Sequence, residues 1–407
     1  MVRIFPFAAL RPNAEYADQV ACHVGGGLQQ AELLEELVQN PLSYLHVVKP
    51  GLHFGDKETQ EIHYKFAGNY FRQMLEQQVL TKEDEPGIYI YRQTFPDGHV
   101  FEGLVLGISI IDYLEGSIKK HEYTLTEKEA KMVEHITHTG VVGEPVLIAN
   151  PNGAYVKDWI RRHKKGDSIL AFSDKAGILH EVWLESAKEG IAEIQQGFRD
   201  IDALYIADGH HRIAASSLYL THMHNERNWP ASKMCFMAYV LSDEDLWIKP
   251  FHRLVKGLDD KSLELFLAKL NARFTCEASA TQVIPSSKGE FGLYTRKGWF
   301  KLSFRNVADY STPAENLDVS RLEKYIFGEI LGIKDSKTDN RLGFVRGDMR
   351  ANELERMVDS GSTDAAFLLF ANTMHEIQEV ADAGQVMPPK STWIEPKLLT
   401  GMLIQQF

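Results

Sequence analysis

Cysteine is scarce: Cys22, Cys235 and Cys276 are the only three in 407 residues. Their number is odd and none stands in C-x-x-C spacing, which argues against a disulfide framework and against a zinc cluster, so they read as reduced thiols. Long apolar runs are missing too. Nothing approaches the roughly 18 consecutive apolar residues of a membrane span, and the opening Met1-Val2-Arg3-Ile4-Phe5-Pro6-Phe7 lacks the apolar stretch of a signal peptide. A cytoplasmic location without membrane association is the expectation. Positive charge is in deficit: 44 Lys and Arg stand against 56 Asp and Glu, a formal net charge of -12. No overall positive field would gather a polyanion, so nucleic acid is not an expected partner. A recognisable helix-turn-helix, internal repeats and low-complexity segments are absent as well.

What is present is ordinary globular composition, 44% hydrophobic and 25% charged. The length exceeds one compact core, and about two or three domains are expected, of mixed α/β class. Residues 1–115 read as an N-terminal α+β region. Ala31 to Val38 and Tyr64 to Leu80 carry apolar residues at spacings of three and four, as amphipathic helices do. Ile88 to Phe95 and Val100 to Ile111 are rich in strand formers and flank Pro96-Asp97-Gly98-His99, which predicts a hairpin. Residues 116–255 hold the motifs. Thr126-Glu127-Lys128-Glu129 predicts a capping box and a helix to about His138, stopped by Gly140. Pro145 to Ile148 and Leu204 to Ala207 read as buried strands, the second running through a turn into a helix from Ile213 to His222. Residues 150 to about 200 read as an inserted α-rich lobe, with helices within Asp158 to His163 and Glu185 to Phe198. Residues 256–407 read as a C-terminal α+β domain: a hairpin over Phe291 to Phe304, a helix over Val319 to Leu331 ended by Gly332, a strand over Ala365 to Ala371 and a non-helical tail over Met387 to Lys397.

The most informative chemistry lies in Ile206-Ala207-Asp208-Gly209-His210-His211-Arg212. Gly209 permits a conformation that a side chain would block, the amides at the following helix start point outward, and the helix dipole favours an anion there. Arg212 adds a planar cation suited to phosphate oxygens, and His210 or His211 can donate further hydrogen bonds. The alternative is a plain turn in which the Asp208 carboxylate caps the helix. Glu122 of the His121-Glu122 pair, before a capped helix, could act as a general base or hold an ammonium group, or could be a solvated carboxylate; it lacks the second histidine of an H-E-x-x-H zinc site. His135 and His138 read as a solvated helix face, and His222 and His224 do not face one another. Gly25-Gly26-Gly27 has neither a P-loop lysine nor a flanking apolar strand, and reads as a loop. Lys390-Ser391-Thr392 suits either a phosphate contact or a capped, solvent-exposed tail.

Lys119-Lys120-His121-Glu122-x-Thr124, the Ile206 to Arg212 segment, Leu317-Asp318-Val319, Arg346-Gly347 and Met387-Pro388-Pro389-Lys390-Ser391-Thr392 resemble, in order along nearly the whole chain, the bacterial family of domain of unknown function 1015. The order H-E-x-T, helix, E-P-V-x-I, I-x-D-G-H-H-R also resembles the core of the ParB and sulfiredoxin-like fold, within which the free serine kinases are similar. The resemblance implies a ParB/sulfiredoxin-like catalytic core over 116–255. It also implies a nucleotide-dependent kinase acting on the hydroxyl of a small metabolite, free L-serine foremost, with ATP or ADP and Mg2+. By position it implies Glu122 as the base, Asp208 as the second acidic residue near the phosphates and their magnesium, and Gly209, His210, His211 and Arg212 as the phosphate turn. Lys390 joins the phosphate contacts, and His121 and Thr124 the substrate contacts. The chain departs from the family at Cys22-His23-Val24-Gly25-Gly26-Gly27, where a Pro-Pro-Tyr-Asp segment is usual. Expected partners are a nucleotide and a small-molecule substrate, with a homodimer allowed. The rival readings are a ParB-like nucleotide-binding switch, with CTP or ATP as ligand, and a non-catalytic scaffold.

Overall fold

A computed structural model describes residues 1–25, 29–55, 58–305 and 311–407. The chain divides into two units: unit 1 is Met1–Lys119, Tyr123–Leu246 and Pro396–Phe407, and unit 2 is Lys120–Glu122 and Trp247–Glu395. No described helix is long and apolar enough to cross a membrane.

Unit 1 is organised on a mixed nine-stranded sheet. Its strands are β1 Ile4–Phe5, β2 Ile88–Thr94, β3 Val100–Ser109, β4 Ile118–Lys119, β5 Val146–Asn150, β6 Leu170–Ser173, β7 Leu179–Glu185, β8 Leu204–Asp208 and β9 Cys235–Ser242. They lie in the order β4-β8-β5-β9-β3-β2-β7-β6, with β1 also paired to β3. Every residue of β9 and of β5 is buried, the continuous apolar reading expected of a strand covered on both faces. The expected hairpin is β2 and β3, so strands from both sides of residue 115 share one sheet.

Six longer helices accompany the sheet: α1 Gln30–Gln39, α2 Gln60–Glu76, α3 Thr126–Thr139, α4 Gly153–His163, α5 Lys188–Arg199 and α6 His210–Arg227. Trp159 of α4, Ile194 and Phe198 of α5, and Ile213 and Leu220 of α6 join Ile148, Ile206 and Val240 in one buried cluster. Residues 150–200 differ from the expected α-rich lobe. Besides α4 and α5 they contain β6 and β7, and β7 pairs with β2 along its whole length, from Leu179 opposite Thr94 to Glu185 opposite Ile88. The period-2 signal in Leu179-His180-Glu181-Val182, with only His180 and Val182 buried, is what the helical reading passed over.

The capping box expected at Thr126 and Glu129 does not form. Leu125 is the N-cap, no side chain caps this end, and Thr126 is already helical. The other end is as expected: Gly140 closes α3 in the left-handed conformation. His135 and His138 do not make a solvated face. His135 bonds the Val47 carbonyl oxygen through Nε2 at 2.8 Å, and both rings pack against Tyr64.

Unit 2 carries a six-stranded antiparallel sheet of β10 Phe251–Val255, β11 Phe274–Ser279, β12 Glu290–Thr295, β13 Gly298–Phe304, β14 Leu342–Arg346 and β15 Ala365–Leu369, in the order β11-β13-β12-β15-β10-β14. The hairpin expected around Lys297-Gly298 is β12 and β13. The expected helix begins at Asp318, widens to π-type winding over Leu322–Ile330 and is followed by a left-handed Gly332.

His252 of β10 is 5% exposed, and its Nδ1 accepts the Leu369 amide at 3.2 Å. Burial, aided by the neighbouring Arg253, pushes its pKa down to about 4. The unfolded chain therefore takes up this proton first as pH falls. This contribution to unit 2 stability is complete above about pH 6.5 and lost progressively toward pH 4, amounting to about 2 kcal/mol by pH 5. Denaturant unfolding at pH 7 and pH 5 should show that loss, and His252→Gln should remove most of it.

Candidate functional site

The turn after β8 is built by three local features. Opposite β5, Ile206 faces Ile148 and Asp208 faces Leu147, so Ala207 is an extra residue, a bulge that re-aims the strand end. Gly209 follows at φ 102°, where an L side chain is strained. α6 begins at His210, three residues ahead of the expected Ile213, because the left-handed glycine turns the chain directly into the helix. The first intrahelical bond of this 18-residue helix runs from the Ile213 amide to the Gly209 carbonyl, so the amides of His211 and Arg212 have no intrahelical acceptor.

Asp208 is not a helix cap. Gly209 occupies that position and no side chain caps the end. Instead the Lys397 ammonium donates to Asp208 Oδ2 at 3.1 Å, while the carboxylate is still 44% exposed. Burial pushes the Asp208 pKa up, but Lys397 and Arg212 outweigh it and hold it at about 2. The Arg212 guanidinium lies back over the turn, and a Cβ on Gly209 would sit 2.8 Å from its Nη2. Arg212 Nη1 donates to Glu144 Oε1, and the Thr400 hydroxyl donates to Glu144 Oε2 at 3.2 Å. Arg212 Nε is buried without a hydrogen-bond partner among the described residues. The result is an accessible carboxylate flanked by an ammonium and a braced guanidinium at a helix start, suited to phosphate oxygens.

His210 is buried. His211 has a structural employment: its Nε2 accepts the Leu125 amide at 3.1 Å, linking the turn to the start of α3 just beyond Thr124. Burial, with Lys128 nearby, lowers its pKa and favours the neutral ring that this bond requires. Thr124 and the Asp208 to Arg212 turn belong to unit 1, whereas His121, Glu122 and Lys390 belong to unit 2. There the Met387 amide donates to the His121 carbonyl at 2.9 Å, so the H-E motif and the Met387 to Thr392 segment meet. That segment is no loose tail. Ser391 is 7% exposed, Asn372 Nδ2 donates to its carbonyl at 3.2 Å, and Lys390 is held at φ 55° with its ammonium 5.3 Å from the Phe251 ring centre. Glu122 is exposed. In the Gly25-Gly26-Gly27 run, Gly26 and Gly27 lie outside the described residues.

Sequence reasoning missed Lys397 and Thr400 as site residues, and saw Glu144 only as part of a strand motif. Lys397 is 189 residues from Asp208, and nothing local marks it. Among the described residues no group of three or more His, Cys, Asp or Glu is placed to hold a metal. Asp208 alone still fits magnesium of the kind carried largely by substrate phosphates and water, which needs only one or two protein carboxylates.

The side chains of Arg212 and Glu144 are 19% and 17% exposed, so their pair is mostly buried rather than exposed. Arg212→Ala should therefore lower stability by about 1–2 kcal/mol by stranding Glu144. Adding Glu144→Ala should restore part of the stability, measured by denaturant unfolding.

Among solved structures the fold is similar to a conserved hypothetical protein from Pyrococcus furiosus, at 16% identity and a TM-score of 0.37, covering 74% of this chain and 95% of that one. A free serine kinase in complex with AMP aligns at 15% identity and 0.37, covering 72% and 87%. SbnI with a C-terminal truncation, from Staphylococcus aureus, aligns at 10% and 0.37, covering 73% and 85%. Scores this low assign no activity. No curated protein matches the sequence. The family described as protein of unknown function (DUF1015) matches residues 4–320, and the chain belongs to that family.

Proposed function

We propose that this protein is a nucleotide-dependent kinase that phosphorylates the hydroxyl of a small metabolite, free L-serine foremost, with ATP or ADP as donor. The observation that carries the reading is the turn after β8, where Asp208 stands between Lys397 and Arg212 at the start of α6. Phosphoryl transfer asks for positioning and charge neutralisation more than covalent machinery, and a braced guanidinium, an ammonium and helix-start amides supply both. Gly209 lets the backbone approach the phosphates, with Arg212, His210 and Lys397 as contacts. His211 keeps the turn docked, and on the sequence resemblance Lys390 is a further phosphate contact. Magnesium bound with the nucleotide would neutralise phosphate charge, with Asp208 as its protein ligand. On the sequence resemblance, His121 and Thr124 hold the acceptor and Glu122 takes its hydroxyl proton. The hydroxyl oxygen then bonds the terminal phosphorus as the bond to the nucleotide's bridging oxygen breaks, leaving the nucleotide one phosphate shorter.

The test is incubation of the purified protein with ATP, ADP or CTP and a panel of amino acids and polyols, followed by phosphorus NMR. A new phosphomonoester that appears only with serine supports the reading in full. Nucleotide binding without acceptor-dependent product replaces it with a nucleotide switch, and no binding by any nucleotide leaves a scaffold.

A further inference from the structure

Another titratable cluster of unit 1 is not used by this reading. Asp174, which follows β6, places Oδ2 3.2 Å from His23 Nε2 and 3.3 Å from His180 Nε2, and its Oδ1 accepts the amides of Ala176 and Ile178, both at 2.9 Å. His180 Nδ1 lies 2.7 Å from the Tyr91 hydroxyl. The chain of contacts runs from the core outward: the side chain of His180 is 0% exposed, that of Asp174 7% and that of His23 36%.

The protons follow from the acceptor. Burial pushes the Asp174 pKa up, but the neighbouring His180, the hydrogen bond with His23 and the Ile178 amide hold it far below the usual carboxylate range, so it only accepts. His23 therefore presents an N–H at Nε2. His180 is hydrogen-bonded to the Tyr91 hydroxyl at Nδ1, and burial pushes its pKa down, which favours the neutral ring. His23 differs, because its Nδ1 has no hydrogen-bond partner among the described residues and its ring reaches solvent. An imidazole oriented through one nitrogen by a buried carboxylate, with the other turned outward, is arranged to exchange a proton or meet an anion. The nearby Cys22 thiol, pushed up to about 12 by burial, stays neutral, and Lys175 beside Asp174 is paired with Glu36.

Two chains of hydrogen bonds connect this cluster with the phosphate turn. Cys22 and Thr400 exchange backbone hydrogen bonds of 3.0 and 2.8 Å, and the same Thr400 braces Glu144, which holds Arg212. Across the sheet His180 stands opposite Gln93, whose side-chain amide donates to the Lys397 carbonyl at 3.5 Å, while Lys397 holds Asp208. We propose that His23, oriented by Asp174, is an additional nucleotide-binding residue of this site, donating Nδ1–H as an imidazolium to a phosphate oxygen. The inference rests on the nucleotide reading above.

The test is NMR of the full chain with carbon-13 in the histidine rings, the His23 signal being the one lost in His23→Gln. Addition of ADP at constant neutral pH should move that signal. His23→Gln should weaken ADP binding about tenfold, the scale of one hydrogen bond to a charged group, and leave adenosine binding unchanged. If calorimetry shows ADP bound while the His23 signal stays in place and His23→Gln binds normally, the inference is overturned and the kinase reading stands. If ADP does not bind the wild-type protein at all, the nucleotide reading itself falls, and this inference with it.

Discussion

Glu122→Gln is expected to lower turnover by about 10²–10⁴-fold while nucleotide affinity stays near wild type, because the amide keeps size and hydrogen bonding but cannot accept the hydroxyl proton. Asp208→Asn should behave differently, and the structure sharpens how. As a cap, asparagine would replace aspartate almost without loss, but Asp208 caps nothing and is the charge partner of Lys397. Its amide is a poor ligand for a hard cation and does not balance Lys397 and Arg212. Turnover should fall at least about 100-fold, with weaker binding of magnesium-loaded nucleotide. Metal-free nucleotide should bind no worse, since one negative charge has left a site that receives phosphate. With its pKa at about 2, Asp208 is ionised throughout the neutral and mildly acidic range, so an acid limb of the pH–rate profile above pH 4 must come from another group. Turnover, affinity with and without magnesium, and melting temperature of both variants decide this. Full activity in Glu122→Gln would sink the proposed base.

Gly209→Ala is expected to damage fold and site together. A residue with a Cβ at φ 102° is strained by about 1–2 kcal/mol, and the new methyl would stand 2.8 Å from Arg212 Nη2 and 2.9 Å from its Nε. The guanidinium must move, which disturbs its bond to Glu144, so the total loss of stability should be about 2–3 kcal/mol. Nucleotide affinity should fall about 10–100-fold, as it should in Arg212→Ala. The double variant Gly209→Ala/Arg212→Ala should lose little more, because both substitutions remove one shared contact. Thermal unfolding and calorimetry with ADP measure both quantities. Wild-type affinity in Gly209→Ala would show that the turn does not hold the phosphates.

The parts of this protein that the sequence specifies by itself are those governed by neighbours within a few residues. The β2–β3 hairpin follows from strand formers on either side of Pro96 to His99, and the end of α3 from Gly140. The turn between β8 and α6 follows from Asp208-Gly209. Even there, local reading misjudged what competing tertiary bonds decide. The Leu125 amide is met by His211 from a distant helix rather than by a box at Thr126, and Asp208 by Lys397 rather than by its own helix. The β6–β7 hairpin was invisible as sheet because β7, though paired on both sides, buries only His180 and Val182, and the edge strand β6 buries only Leu170. Only the tertiary structure assembled the site: Asp208 with Lys397 across 189 residues, Arg212 with Glu144 across 68 and Thr400 with Glu144 across 256, with His23 and Asp174 joined across 151. Each of these pairs joins residues far apart in the chain within the folded unit 1. Periodicity and turn chemistry, which act over one turn or one strand, carry no record of those pairings.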